Sequence, residues 1–250
     1  MDSITTQLSR EAPHTRRLAD AYSGAPLDLV KLVAAGLMLL DHVNYLFGDA
    51  SPNLMWLLGR AAFPLFVFAL ACNLMRGTKL ARYVQILILL GAVSQPIFAT
   101  TTSIVQGNII FTLAVGAVVA AAMRTQRPMT QHLIFAAGIA CILSPFVQAR
   151  YGLDYGVAGI LLPAALLCVL EGKWWHTIWL VLLVFALNWY PSEGWKLHPI
   201  EAACFAGGLS SAVALAALAL RNRPRFLPRY ALHVFYPGHL LVLMIIHYRV

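Results

Sequence analysis

Residues 54–75 read LMWLLGRAAFPLFVFALACNLM, a run of 22 positions in which Arg60 is the one charged residue. A helix needs about 20 mostly apolar residues to cross the hydrocarbon core of a bilayer. A stretch this long and this apolar predicts a membrane-spanning helix, and the pattern recurs along the chain. The same window finds further helices over 28–47, 81–99, 107–124, 131–149, 155–171, 174–190, 199–220 and 230–248. The composition agrees. The chain is 60% hydrophobic and 11% charged with a mean hydropathy of +0.73, whereas soluble domains carry roughly 25% charged residues.

The expected architecture is therefore all-α: a polytopic transmembrane bundle of about nine helices. Residues 1–26 form a polar cytoplasmic arm and 27–250 a single membrane domain. The arm lacks the short apolar run and small-residue cleavage site of a signal peptide. Charge asymmetry sets the expected orientation. With residue 1 in the cytoplasm, the inside segments hold Arg10, Arg16, Arg17, Arg76, Lys79, Arg82, Arg124, Arg127, Lys173, Arg221, Arg223, Arg225 and Arg229. The outside segments hold Arg150, Lys196 and Arg249. That bias is the positive-inside rule, and it places the N-terminus inside and the C-terminus outside. The net charge of +8 thus reflects topology and predicts no nucleic-acid partner. Cys72, Cys141, Cys168 and Cys204 lie in apolar stretches without metal-ligand spacing and read as small core residues. No His and carboxylate set has the spacing of a metal site, so no metal is expected. No internal repeat of the transporter kind is visible. Pro96, Pro163 and Pro237 fall within helices, where they mark kinks or cavity edges.

An ionisable group inside a bilayer costs roughly 2.5–3.5 kcal/mol on insertion scales, so each one raises the question of its partner and its use. Asp41 and His42, in LMLLDHVNYLF, lie about 21 Å along the first helix from Leu27 at 1.5 Å per residue, in its outer half. Arg60 returns at similar depth. An Asp41–Arg60 ion pair either holds the first two helices together or serves chemistry. His42 has the ordinary pKa of a general base or acid, but Asp41 need not orient it, because adjacent helix positions point about 100° apart. The remaining polar positions at membrane depth map to the same side: Ser94 and Gln95, Asn108 and Thr112, Tyr155, Asn188, and His198 with Glu201. Tyr236 and His239, three residues apart in FYPGHL, share one helical face. Taken singly, Tyr155 and Trp189 read as interfacial anchors, Ser94 as a bond to its own helix and His247 as a surface residue. The two histidines read first as catalytic or substrate-binding groups, with interhelical hydrogen-bonding glue as the alternative. Their convergence predicts a polar chamber opening to the outer side.

The ordered motifs DHVNYLF, LLGRAAFPLFVFAL, SQP, GNIIFTLAVG, DYGVAGILL and FYPGHLLVL give the chain a resemblance to the TraX family, which includes the TrbP-type conjugal transfer proteins. The likeness runs from about Leu27 to Leu243. It implies a polytopic inner-membrane protein of conjugative plasmids that chemically modifies the pilin subunit, in the founding case by acetylating its N-terminal amine. The family is also similar to membrane acyltransferases with a histidine near the start of the first helix. By that resemblance Asp41, His42, Gly59, Arg60, Phe63, Pro64, Gln95, Asn108, Tyr155, Gly156, Tyr236 and His239 match family positions.

The expected function is transfer of an acyl, most simply acetyl, group to processed pilin at the periplasmic side. His42, Asp41 and His239 are the candidate catalytic residues, and Arg60, Gln95, Asn108, Tyr155 and Tyr236 bind substrate or donor. No tightly bound cofactor is expected; the donor is acetyl-CoA or a phospholipid such as phosphatidylglycerol, and the partners are the pilin subunit and membrane lipids. Acetyl-CoA is cytoplasmic, so with an outward-opening chamber either a channel admits the thioester or the donor differs, and the second case gives the runner-up reading, transfer of a glycerophosphate head group. A non-enzymatic pilin chaperone or assembly factor is a third reading. A transporter is the remaining one, against which the apolar inner halves of the helices count.

Overall fold

The computed structural model describes residues 13–48, 53–102, 106–143, 152–188 and 199–249. Arg10, Arg150, Trp189, Lys196, His198 and the far ends of the expected 131–149 and 174–190 helices lie outside the described residues. In chain order the helices are α1 (Pro13–Ala21), α2 (Ala25–Phe47), α3 (Leu54–Gly59), α4 (Ala62–Met75), α5 (Leu80–Thr102), α6 (Ile109–Arg124), α7 (Pro128–Leu143), α8 (Gly156–Leu170), α9 (Thr177–Asn188, preceded by a short 3₁₀ turn Trp174–His176), α10 (Pro199–Ala217, followed by a 3₁₀ turn Leu218–Leu220) and α11 (Ala231–His247). The described residues form no strand; Gly107 and Leu153 make one isolated bridge.

Each of the nine expected windows holds helix. Ala25–Phe47, Leu54–Met75, Leu80–Thr101 and Pro199–Leu220 are long and apolar enough to cross a bilayer, and the other five apolar helices are shorter. Large apolar side chains cover the outside of several different helices, among them Leu89, Leu133, Val181 and Leu215. An exterior of that kind suits lipid and not water, and the chain is a helical membrane protein.

The 54–75 run is broken where Pro64 dictates. Lacking an N–H, Pro64 cannot bond the carbonyl of Arg60, so it sits in the first turn of a new helix, where the N–H groups have no helical partner in any case. The break removes Arg60 from the helix and leaves it in the turn between α3 and α4. Beyond the break α4 is the centre of the bundle. All of its residues except Phe66 and Asn73 are buried, against α2, α6, α8 and α10. Small residues allow the close approach, as membrane helices without a hydrophobic drive to associate require. A Cβ on Gly116 of α6 would lie 2.8 Å from Pro163 Cγ of α8.

The arm does not hang free. In α1, Thr15 and Ala19 are buried against the bundle while Arg16 and Arg17 point out. Tyr22 follows, donating its hydroxyl to the Ala214 carbonyl at 2.8 Å and meeting the Phe68 ring edge-on. At the same end Asp28, 1% exposed, accepts from the N–H groups of Phe226 and Leu227 at 3.1 Å each and faces Arg225. It clamps the basic 221–230 segment to the start of α2. Asp41 lies 13 residues further on, about 20 Å up the same helix. The end rich in Arg and Lys and the end rich in His, Tyr and Asn are thus opposite poles of the bundle.

Candidate functional site

Two helices bring the histidines together. His42 of α2 and His239 of α11 are 197 residues apart, yet their rings stack with Nδ1 of His42 2.9 Å from Nε2 of His239. His239 is 7% exposed, and its Nδ1 is 2.9 Å from the Phe235 carbonyl. A carbonyl can only accept, so His239 carries its proton on Nδ1 and, as a neutral ring, offers a lone pair on Nε2. His42 must then donate from Nδ1, which leaves its own Nε2 unprotonated. The chain of bonds Phe235 to His239 to His42 therefore fixes both tautomers and places one basic nitrogen at its end.

The orienting partner of His42 is a second histidine, not the neighbouring carboxylate. Asp41 points away along the helix surface to an ion pair with Arg60, as adjacent helix positions require. Trp56 lies under the guanidinium, its ring centre 5.1 Å from Cζ. Gly59 makes room for this pair. A Cβ there would meet Asp41 Oδ1 at 2.5 Å and its Cβ at 2.6 Å. Arg60 Nε is buried and has no hydrogen-bond partner, and the Tyr236 hydroxyl is in the same condition. Buried donors of this kind are exceptional, because leaving one unmade costs about 1–3 kcal/mol. Each can still donate one hydrogen bond.

Tyr155 stacks flat on Phe63, ring centres 4.4 Å apart. It stands in the left-handed region at φ 61°, a strained conformation for an aromatic residue. Local bonds hold it there. Its N–H donates to the Asp154 carboxylate at 3.0 Å, the Thr112 hydroxyl donates to the Asp154 carbonyl at 2.6 Å, and the Asp154 N–H donates to Gly107 at 2.8 Å. Asp154 and Tyr155 both lie within electrostatic reach of Arg60. Asp154 occupies the turn before α8, where burial pushes its carboxyl up to about 6 against the opposing pull of Arg60.

Gln95 and Asn108 take a different part. Asn108 is fully buried and uses its whole amide on the backbone framework: it donates to the Gly91 carbonyl and Ser94 hydroxyl and caps Ile110 N–H. Gln95 accepts from Asn108 N–H at 2.9 Å and donates to the Gln106 carbonyl at 2.8 Å. Together they tie α5 to the start of α6 and position the turn that meets Asp154. Asn108 has no amide hydrogen left for developing charge on a donor. Asn188 bonds its own helix at Val184, Glu201 is exposed on α10, and His247 sits at the tip beside Phe47.

The structure thus gathers Asp41, His42, Arg60, Tyr155, Tyr236 and His239 and sets Gln95 and Asn108 beside them. Sequence reasoning left Asp154 out of the site; an acid directly before the matched pair Tyr155–Gly156 was the available signal. A small, partly open apolar cavity of about 40 Å³ is lined by Leu113, Phe235 and Tyr236 among others. Among the described residues no three His, Cys, Asp or Glu side chains are placed to hold a metal.

Comparison with known proteins adds the family. The model of the family described as TraX protein matches residues 26–247. A relative named Protein TraX from Escherichia coli is 30% identical over 226 residues, covering 89% of this chain and 87% of the relative. A second Protein TraX, from Escherichia coli strain K12, is 31% identical over 229 residues with the same coverage. No solved structure matches.

Proposed function

The chain belongs to the TraX family, and on that premise we propose that it is a membrane-embedded transferase of conjugation that covalently modifies the pilin subunit. The observation that carries the reading is the ordered pair His42–His239, which ends in an unprotonated imidazole nitrogen. A membrane protein keeps such a pair at a cost unless it is used. His42 Nε2 takes the proton of an amine or hydroxyl on processed pilin as that group attacks the donor. Arg60, through its unpartnered Nε–H, stabilises the charge that develops on the donor oxygen, and Asp41 and Trp56 hold the guanidinium in place. Tyr236, with a free hydroxyl beside His239, supplies a proton to the leaving group.

In the acetyl reading implied by the family, the nucleophile forms a bond to the thioester carbonyl, the C–S bond breaks and the thiolate takes the proton. The polarity of the bundle bears on the donor. The site is at the pole opposite Arg76, Arg124, Lys173 and the 221–229 arginines, which the positive-inside rule puts in the cytoplasm of an inner-membrane protein. The site then faces the periplasm, where signal-peptide removal leaves the pilin end and where acetyl-CoA is not made available by diffusion. That separation favours a phospholipid donor as the second reading.

The test is the intact mass of mature pilin from cells with the protein, cells without it, and cells carrying His42→Ala. A mass increment present in the first and lost in the other two is the expected result, and its size identifies the group transferred. A pilin mass that is the same with and without the protein overturns the enzyme reading and leaves a chaperone that docks pilin without altering it.

A further inference from the structure

An open groove of about 370 Å³ runs between α5 and α6 on the outer surface of the bundle. Val84, Ile88, Phe111, Val115, Val118 and Leu153 line it, and every lining residue is apolar. Ile88, Val115 and Val118 are 40–48% exposed, so the groove opens to whatever surrounds the bundle and not to its interior. Between membrane-spanning helices that surrounding is hydrocarbon. At about 30 Å³ for a water-sized group, the groove has room for about a dozen methylenes, and from Phe111 to Val118 it extends about 10 Å along α6. The small cavity beside Phe235 and Tyr236, at about 40 Å³, is far too small for a chain.

What distinguishes this groove from other lipid-facing furrows is where it ends. Leu153 forms its upper wall, packed over Gly107, and the next residues are Asp154 and Tyr155, which lie within electrostatic reach of Arg60. One Cα step, about 3.8 Å, separates the apolar wall from the polar turn. Gly91 lets the Phe111 ring pack against α5: a Cβ there would touch the ring at 3.0 Å. A molecule with a hydrocarbon tail and a polar head group fits both ends, and it arrives sideways from the bilayer without crossing water.

We propose that the donor is a membrane phospholipid whose acyl chain lies in the α5–α6 groove and whose phosphodiester head group reaches Arg60. The inference rests on the transferase reading above and names its substrate class. Arg60 is a permanent planar cation with a free Nε–H for a phosphate oxygen. With phosphatidylglycerol the pilin oxygen or nitrogen forms a bond to phosphorus and the bond from phosphorus to the diacylglycerol oxygen breaks. The proton lost by the nucleophile goes to His42, and the diacylglycerol oxygen leaves with one proton from Tyr236, which is replenished from His42. The products are glycerophosphoryl-pilin and diacylglycerol, with no oxidation or reduction.

Two measurements on the full chain in phosphatidylglycerol nanodiscs test the seat. Phosphatidylglycerol bearing a photoreactive group in mid-chain should crosslink to the 111–118 segment well above the lipid-facing controls Leu133 and Val181. Crosslinking no greater than at those controls overturns the inference. Val115→Trp, which fills the groove on an exposed face, should slow transfer of labelled glycerol to pilin about tenfold, the effect of about 1.4 kcal/mol in binding. Transfer at the wild-type rate by Val115→Trp, or labelling of pilin from added acetyl-CoA and not from glycerol-labelled phosphatidylglycerol, also overturns it. Either result leaves the transferase reading standing, because that reading falls only if pilin mass is indifferent to the protein.

Discussion

Gly59→Ala is the perturbation whose outcome follows most directly from the geometry. The added methyl would lie 2.5 Å from Asp41 Oδ1, 2.6 Å from its Cβ and 2.8 Å from its Cγ. Cβ is anchored to the α2 backbone, so the contact cannot be relieved by rotating the end of the side chain. Either α2 and α3 separate or Asp41 leaves Arg60. Overpacking of this kind costs about 1–3 kcal/mol. A broken buried ion pair costs about 3–5 kcal/mol, and both partners here are about one-fifth exposed, which places the loss toward or below the lower figure. Against these stands the helix preference for Ala over Gly, about 1 kcal/mol. The balance is a destabilisation of about 2 kcal/mol or more, a fall in midpoint of roughly 4–8 °C for a chain of this size. Gly36→Ala is the matched control: it lies on α2 with nothing within 4 Å of its added methyl and should be neutral or slightly stabilising. The assay is thermal unfolding of both purified variants in the same detergent, alongside pilin mass. Equal midpoints for Gly59→Ala and Gly36→Ala, with pilin modification intact, would refute the argument that Gly59 exists to admit Asp41.

Two further outcomes follow from other parts of the structure. Asp28→Ala leaves the N–H groups of Phe226 and Leu227 without their acceptor and should cost about 2–6 kcal/mol, at about 1–3 per orphaned donor, with the 221–230 segment newly open to limited proteolysis; a segment as resistant as wild type would remove Asp28 from the role of clamp. Asp154 sits among Arg60, Asp41 and Tyr155 with its carboxyl raised to about 6 from 3.8. A folded state that holds the proton more tightly gains stability below the unfolded value and loses it as pH rises through the folded one. Wild-type stability should therefore decline between about pH 4 and pH 6, and Asp154→Asn should flatten that part of the profile; parallel profiles for the two proteins would contradict the assigned cause.

How much was legible beforehand depends on what kind of information each feature needs. The length of an apolar run is local information, so the spans could be counted without knowing any contact, and the bias of Arg and Lys between loops needs only the order of the spans. The same local logic placed Asp41, His42, Arg60 and His239 at one depth, since depth is residue count times rise. Direction around each helix axis was not available, because it depends on which neighbour each face meets. So the sequence allowed Asp41 as the partner of His42, whereas packing gave Asp41 to Arg60 and His42 to His239. Asn108 looked like a substrate ligand by type and depth, and its bonds to Gly91, Ser94 and Ile110 appear only once α5 and α6 are side by side. Asp154 entered the site because a left-handed turn at Tyr155, held by Thr112 and Gly107, carries it to Arg60. The sequence by itself determined a helical membrane protein, its polar pole and its family. Tertiary structure alone decided which polar groups meet and which donors stay free. In a bilayer without water to satisfy them, that pairing is a choice among neighbouring helices, and only the packed bundle makes it.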